Sequence, residues 1–147
     1  MNMEFPPVAE LLPHRGRAVL IDSILENSAG RIRAGAQITG AHPLFVPGCG
    51  VPSWAGIELM AQAIAAHAGL EGRRSKLPPR MGMLLGTRRY QMASAWFPEG
   101  ARLEIVAERE FGESGGVGAC ACRILCHGQT LATATIIVIE ISEANQR

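Results

Sequence analysis

The strongest constraint in this chain is a single run, residues 53–69, SWAGIELMAQAIAAHAG. It contains no proline, and Ala, Leu, Met, Ile and Gln are good or acceptable helix formers, so one helix is expected. Pro52 precedes the run, Ser53 is the expected N-cap and Gly69 the expected stop. At about 100° per residue, Met60, Ala63 and His67 share one face, and Trp54, Glu58, Gln62 and Ala65 roughly the opposite one. Both faces are mostly apolar or small, so the rest of the chain must wrap this helix. Glu58 is the anomaly. An ionised carboxylate in such a place is costly unless it is paired or put to use. Two readings follow: a working carboxyl group, or one that points into a polar crevice at a subunit boundary.

What surrounds the helix is read from strand patterns. Segment 31–39, RIRAGAQIT, alternates cleanly, with Ile32, Ala34, Ala36 and Ile38 on one side, and reads as a half-buried strand. Segment 18–26 is rich in Val, Ile and Leu and pairs with it across the turn at 27–30. The Gly- and Pro-dense segment 40–52 is an irregular loop that feeds the helix. After the helix and a polar connection at 71–79 come four strand candidates, 80–91, 101–111, 116–126 and 130–141. Phe97-Pro98-Glu99-Gly100 divides the first two of these. One helix among six strands with hairpin connections is an α+β arrangement, an antiparallel sheet curled around the helix. Such a sheet leaves an edge open, and a dimer that continues it is the natural remedy.

Composition narrows the function classes. At 147 residues, 48% hydrophobic and 18% charged, residues 1–147 suit one folded domain rather than a disordered chain. A net charge of +1 gives no electrostatic ground for binding nucleic acid or an anionic membrane. Glu58, Gln62 and His67 interrupt the helix, so no membrane span is expected. The opening MNMEFPPVAELL shows no signal peptide, which makes the cytoplasm the expected location. Cys120, Cys122 and Cys126 sit beside His127, but in a strand-like run without a C-x-x-C pair. They read as small apolar residues, and no metal is expected.

Several stretches, in order along the chain, resemble one family. LLPHRGRAVLIDSILE is similar to the L-P-H-R-x-P-x-L-L-x-D-R-V strand of the β-hydroxyacyl-acyl carrier protein dehydratases, which have the hotdog fold. PSWAGIELMAQ resembles their P-G-V-x-x-x-E-x-x-A-Q helix, and GMLLGTRRYQMASAWFPEGARLEI the stretch leading to P-G-D-x-L. HGQTLATATIIV resembles the closing strand, V-x-G-x-x-V-A-x-A. Within that family the PHR start and the helix are most similar to the dehydratase-like subfamily of aryl-polyene-type polyketide clusters.

The resemblance implies a hotdog fold, with about five or six antiparallel strands around one long helix. It implies dehydration of a 3-hydroxyacyl thioester on acyl carrier protein, through its phosphopantetheine arm, to the trans-2-enoyl form. The setting would be fatty acid or polyketide biosynthesis, and no cofactor is required. The site would span a dimer, either a homodimer or a heterodimer with another hotdog subunit. A histidine on one subunit removes the α-proton, and a carboxylate on the other protonates the departing hydroxyl. Glu58 maps onto that carboxylate. The family's histidine position holds Leu44 here, and His42, two residues earlier, is either the candidate base or a plain loop histidine beside an incomplete site. Residues i and i+2 of an extended segment project to the same side about 7 Å apart. Backbone N–H groups from Trp54, Ala55 and Gly56 would meet the thioester oxygen. Gln62 would hydrogen-bond within the site or across the dimer, and Trp54 would wall the acyl tunnel or simply pack in the core. His14 is expected to position the first strand, His67 to lie in the core or an interface, and His127 in a turn. Two alternatives stand beside this reading: thioester hydrolysis on the same fold, or a non-catalytic subunit paired with an active hotdog dehydratase.

Overall fold

The computed structural model describes residues 5–12, 16–75, 81–111 and 117–141. In chain order its elements are α1 (Val8–Leu11), β1 (Ser23–Ser28), β2 (Arg31–Gln37), β3 (Gly50–Pro52), α2 (Gly56–Ser75), β4 (Met81–Met92), β5 (Trp96–Pro98), β6 (Arg102–Phe111), β7 (Val117–Cys126) and β8 (Gln129–Ile141). Six strands form an antiparallel sheet in the order β1-β2-β6-β7-β8-β4. This is the α+β hotdog arrangement expected above.

The alternation in β2 sets the two faces of the sheet. Ile32, Ala34 and Ala36 are buried on one side. On the other, Arg31 pairs with Glu26 and Glu108, and Arg33 with Glu26 and Glu104. Register carries the buried face across the sheet. Ala34, Ile105, Ile124 and Ala132 lie side by side in one row, and Ile32, Ala107, Cys122 and Ala134 in the next. The small members of these rows let α2 settle close, and its Leu59, Met60, Ala63 and Ala66 are fully buried. Leu59 and Met60 each contribute about 1.5–3 kcal/mol by leaving water. Cys120 and Cys122 belong to the same buried face. Burial, with Cys120 and Glu110 adding to it, pushes the Cys122 thiol well up, so it is an inert packing group. Among the described residues no three His, Cys, Asp or Glu side chains group as a metal site. No described helix is long and apolar enough to cross a membrane.

The structure departs from the sequence reading in four places. The first strand begins at Ser23, not at residue 18. Residues 16–18 form a 3-10 turn instead, and the N–H groups of Leu20 and Ile21 go to the Gln62 side chain. The helix does not start from a Ser53 cap. Ser53–Ala55 is a 3-10 turn led by Pro52 with no side-chain cap, and the Ser53 amide is taken by the carbonyl of Ala95. Nor does it stop at Gly69, since α2 continues to Ser75. Gly69 is a packing residue, because a Cβ there would stand 2.8 Å from the carbonyl oxygen of Leu11. Finally, 50–52 and 96–98 are not mere loop and divider. They pair as a small second sheet, Val51 opposite Phe97, both fully buried. His14, the segments 76–80 and 112–116 and the C-terminal tail lie outside the described residues.

Candidate functional site

Glu58 sits in the first turn of α2, half-buried rather than enclosed. One turn further on, Gln62 is fully buried and its side chain is employed at both ends. Its Oε1 accepts the N–H groups of Leu20 at 2.8 Å and Ile21 at 3.3 Å. Its Nε2 donates to the carbonyl of Ala18 at 2.6 Å and to Oε1 of Glu58 at 3.2 Å. A glutamine at i+4 thus orients one oxygen of Glu58 and, with the same amide, ties the helix to segment 18–21.

The start of the helix was expected to offer three free amides. Helix geometry leaves the first donors without intrahelical partners, but the N–H of Gly56 already reaches the carbonyl of Ser53. It also meets the hydroxyl of Tyr90, which in turn donates to that same Ser53 carbonyl. Among the described residues no hydrogen bond takes the N–H of Trp54 or Ala55, so two of the three donors are open. Trp54 itself is 58% exposed, so it is not plain core packing.

Tyr90 was missed in the sequence, where it lay unremarked in a strand candidate as the only tyrosine of the chain. It reaches the helix because β4 bulges between Arg88 and Gln91, with Arg89 at φ 55°. Its fit depends on Gly56, where a Cβ would collide with the tyrosine hydroxyl and stand 3.0 Å from Ile124 Cδ1. Burial pushes the Tyr90 hydroxyl up to about 12, partly offset by the Gly56 amide. At neutral pH it is a neutral clamp on the helix start.

His42 is buried, at 8% exposure, in the turn before the small sheet. Its Nδ1 accepts the N–H of Leu44 at 3.0 Å, and its Nε2 has no partner among the described residues. Burial holds the ring below the ordinary histidine range. The structure therefore joins Glu58 to Gln62 and sets the Trp54 and Ala55 amides one turn before Glu58, whereas the hydrogen bond of His42 stays within its own loop. His67 bonds Asn27 at 2.6 Å, far from this chemistry in role, and His127 is a turn residue at φ 50°. A groove of about 440 Å³ lies elsewhere, on the sheet face turned away from α2, between Arg89, Glu108, Arg123 and Thr133. It holds none of the expected site residues.

A family described as ApeP-like, ApeP dehydratase, matches residues 6–147. Among solved structures, the dehydratase heterocomplex ApeI:P from Xenorhabdus doucetiae superposes with a TM-score of 0.87 at 26% identity, covering 97% of this chain and 95% of that one. A hypothetical thioesterase from Streptococcus pneumoniae TIGR4, solved with coenzyme A, gives 0.64 at 12% identity, over 82% of this chain and 85% of that one. The E. coli PaaI protein from the phenylacetic acid degradation operon gives 0.62 at 13%, over 80% and 81%. These last two share the fold alone.

Proposed function

Since this chain belongs to the ApeP-like dehydratase family, we propose that it is a single hotdog domain that dehydrates 3-hydroxyacyl thioesters on acyl carrier protein in the cytoplasm, as half of a hotdog pair. Glu58 is the acid. A base removes the α-proton, the electron pair forms the new carbon–carbon double bond, and the bond from the β-carbon to its hydroxyl breaks. Glu58 gives that hydroxyl a proton, so water leaves and the trans-2-enoyl thioester remains. The observation that carries this reading is the placement of Glu58. It is half-buried, oriented by Gln62, and one turn beyond the open amides of Trp54 and Ala55, which suit a thioester oxygen gaining charge.

Pairing is supported by what the lone subunit leaves open. β4 ends the sheet with one edge free of partner strands among the described residues. Leu44, Val46, Trp54 and Met92 are exposed large apolar residues on the loop, the helix start and the end of β4. The ApeI:P assembly is itself a dehydratase heterocomplex, and a heterologous hotdog partner is the version favoured here. One specific contact supports it: the Leu44 amide occupies Nδ1 of His42, which makes that ring a poor base and leaves the base to a histidine of the facing subunit.

The test supplies 3-hydroxyacyl-acyl carrier protein to the purified chain, alone and mixed with a second hotdog dehydratase subunit, and follows enoyl formation and free thiol separately. Enoyl product without thiol release supports dehydration. Thiol release without enoyl product would turn the assignment to thioester hydrolysis.

A further inference from the structure

The backbone around His42 is held from both sides. Its N–H donates to the carbonyl of Thr39 at 3.1 Å, and its carbonyl accepts the N–H of Phe45 at 3.0 Å. The ring is fixed as well, because Leu44 N–H points at Nδ1 from 3.0 Å. An amide N–H can only donate, so Nδ1 must present its lone pair. In a neutral imidazole the proton then resides on the other nitrogen. That nitrogen, Nε2, is the buried atom without a partner.

We infer that His42 is held as its Nε2–H tautomer and acts as a hydrogen-bond donor to the thioester carbonyl oxygen of the substrate, not as the base that takes the α-proton. The choice of substrate rests on the function proposed above; the tautomer does not. A base would need a lone pair at Nε2, and the proton would then sit on Nδ1, facing the Leu44 N–H. Two donors would confront each other across a hydrogen-bond distance. Protonating the ring creates the same conflict, and burial disfavours the cation in addition. A donor in the same place has no such conflict. Its N–H is desolvated with nothing in return until an oxygen arrives, and an oxygen that gains charge during α-proton removal rewards it most. The substitution of Leu for the expected histidine at position 44 fits this reading, since the family position for a base holds an aliphatic side chain here.

The experiment has two independent arms. Histidine ring nitrogens of the ¹⁵N-labelled wild-type chain are assigned by long-range N–H correlation at neutral pH, with and without the amide analogue of a 3-hydroxyacyl pantetheine thioester. The expected result is an Nε2–H ring at His42, whose proton resonance moves when the analogue binds. An Nδ1–H ring or an imidazolium would overturn the inference, and a resonance that stays put under saturating analogue would overturn the assigned acceptor. In the kinetic arm, His42→Gln places an amide N–H near the position of Nε2, whereas His42→Ala removes it. The glutamine variant is expected to keep kcat/KM within about tenfold of wild type, and the alanine variant to lose roughly 10²-fold. Equal losses in the two would mark a base and refute the donor. If no pairing of the chain dehydrates anything, the proposed function fails while the spectrum still reads the tautomer.

Discussion

Replacing Gln62 with leucine should unsettle the fold more than any other single side-chain change on the polar side of α2. Gln62 is fully buried, and leucine has about its volume, so packing is kept while four hydrogen bonds are removed. The amide of Ile21, itself 1% exposed, loses its acceptor, as does that of Leu20. An unsatisfied buried group costs about 1–3 kcal/mol. Ala18 is exposed, so its carbonyl can turn to water, and leucine recovers some apolar burial. The net loss is expected to be about 2–4 kcal/mol. For a chain of this size that lowers Tm by roughly 5–15 °C. Thermal and urea unfolding followed by circular dichroism measure it. A sharper control is Gln62→Glu, which keeps an oxygen for the two amides but sets a carboxyl against the Ala18 carbonyl and Glu58. The new carboxyl is held protonated more firmly in the folded than in the unfolded chain, so its stability deficit grows as pH rises above about 4.3. A Gln62→Leu variant within about 0.5 kcal/mol of wild type would refute this reasoning.

Three further outcomes are expected. Gly69→Ala gains helix propensity of about 1 kcal/mol yet should be destabilised, since its Cβ meets the Leu11 carbonyl at 2.8 Å; a raised Tm would contradict the packing role. Gly56→Ala should cost about 1–3 kcal/mol through collision with Tyr90, and combining it with Tyr90→Phe should cost less than the two single changes added; strict additivity would show that the two residues do not meet. The folded His42 ring lies below its unfolded value of 6.5, so the unfolded chain takes up a proton that the folded one refuses, and stability falls as pH drops below about 6.5. His42→Gln should flatten that fall in equilibrium unfolding at pH values on either side, and an unchanged profile would contradict the buried neutral ring.

The parts of the fold that repeat a simple pattern were legible in the sequence. The alternation at Ile32, Ala34 and Ala36 marked β2 and its buried face, and the proline-free, mostly apolar run from Ile57 to Ala66, broken only by Glu58 and Gln62, marked the wrapped helix. What escaped was set by partners distant in sequence. Leu20 and Ile21 read as strand because they are branched and apolar, but their amides are claimed by a glutamine 42 and 41 residues away, respectively. Gly69 carries a stop signal that the docking of Leu11 overrides. Val51 and Phe97 were hidden in segments full of Gly and Pro, where a three-residue strand leaves no periodicity to detect. At the site, Glu58 stood out because a carboxylate on an apolar helix is costly. Tyr90 did not, because only a bulge in β4 brings it to the helix start. The ring polarity of His42 depends on one backbone amide, that of Leu44, and residue identity alone cannot supply it.

The central claim is that Glu58 is the acid of a dehydration shared between hotdog subunits, and the rate of enoyl formation by the Glu58→Gln variant tests it most directly. The amide is nearly isosteric and can still meet the side chain of Gln62, so the fold should stand. The rate, measured alone and with an active hotdog partner, should fall by roughly 10²–10⁴-fold wherever the wild-type chain supports dehydration. A Glu58→Gln chain that matches wild type in every combination would contradict the account.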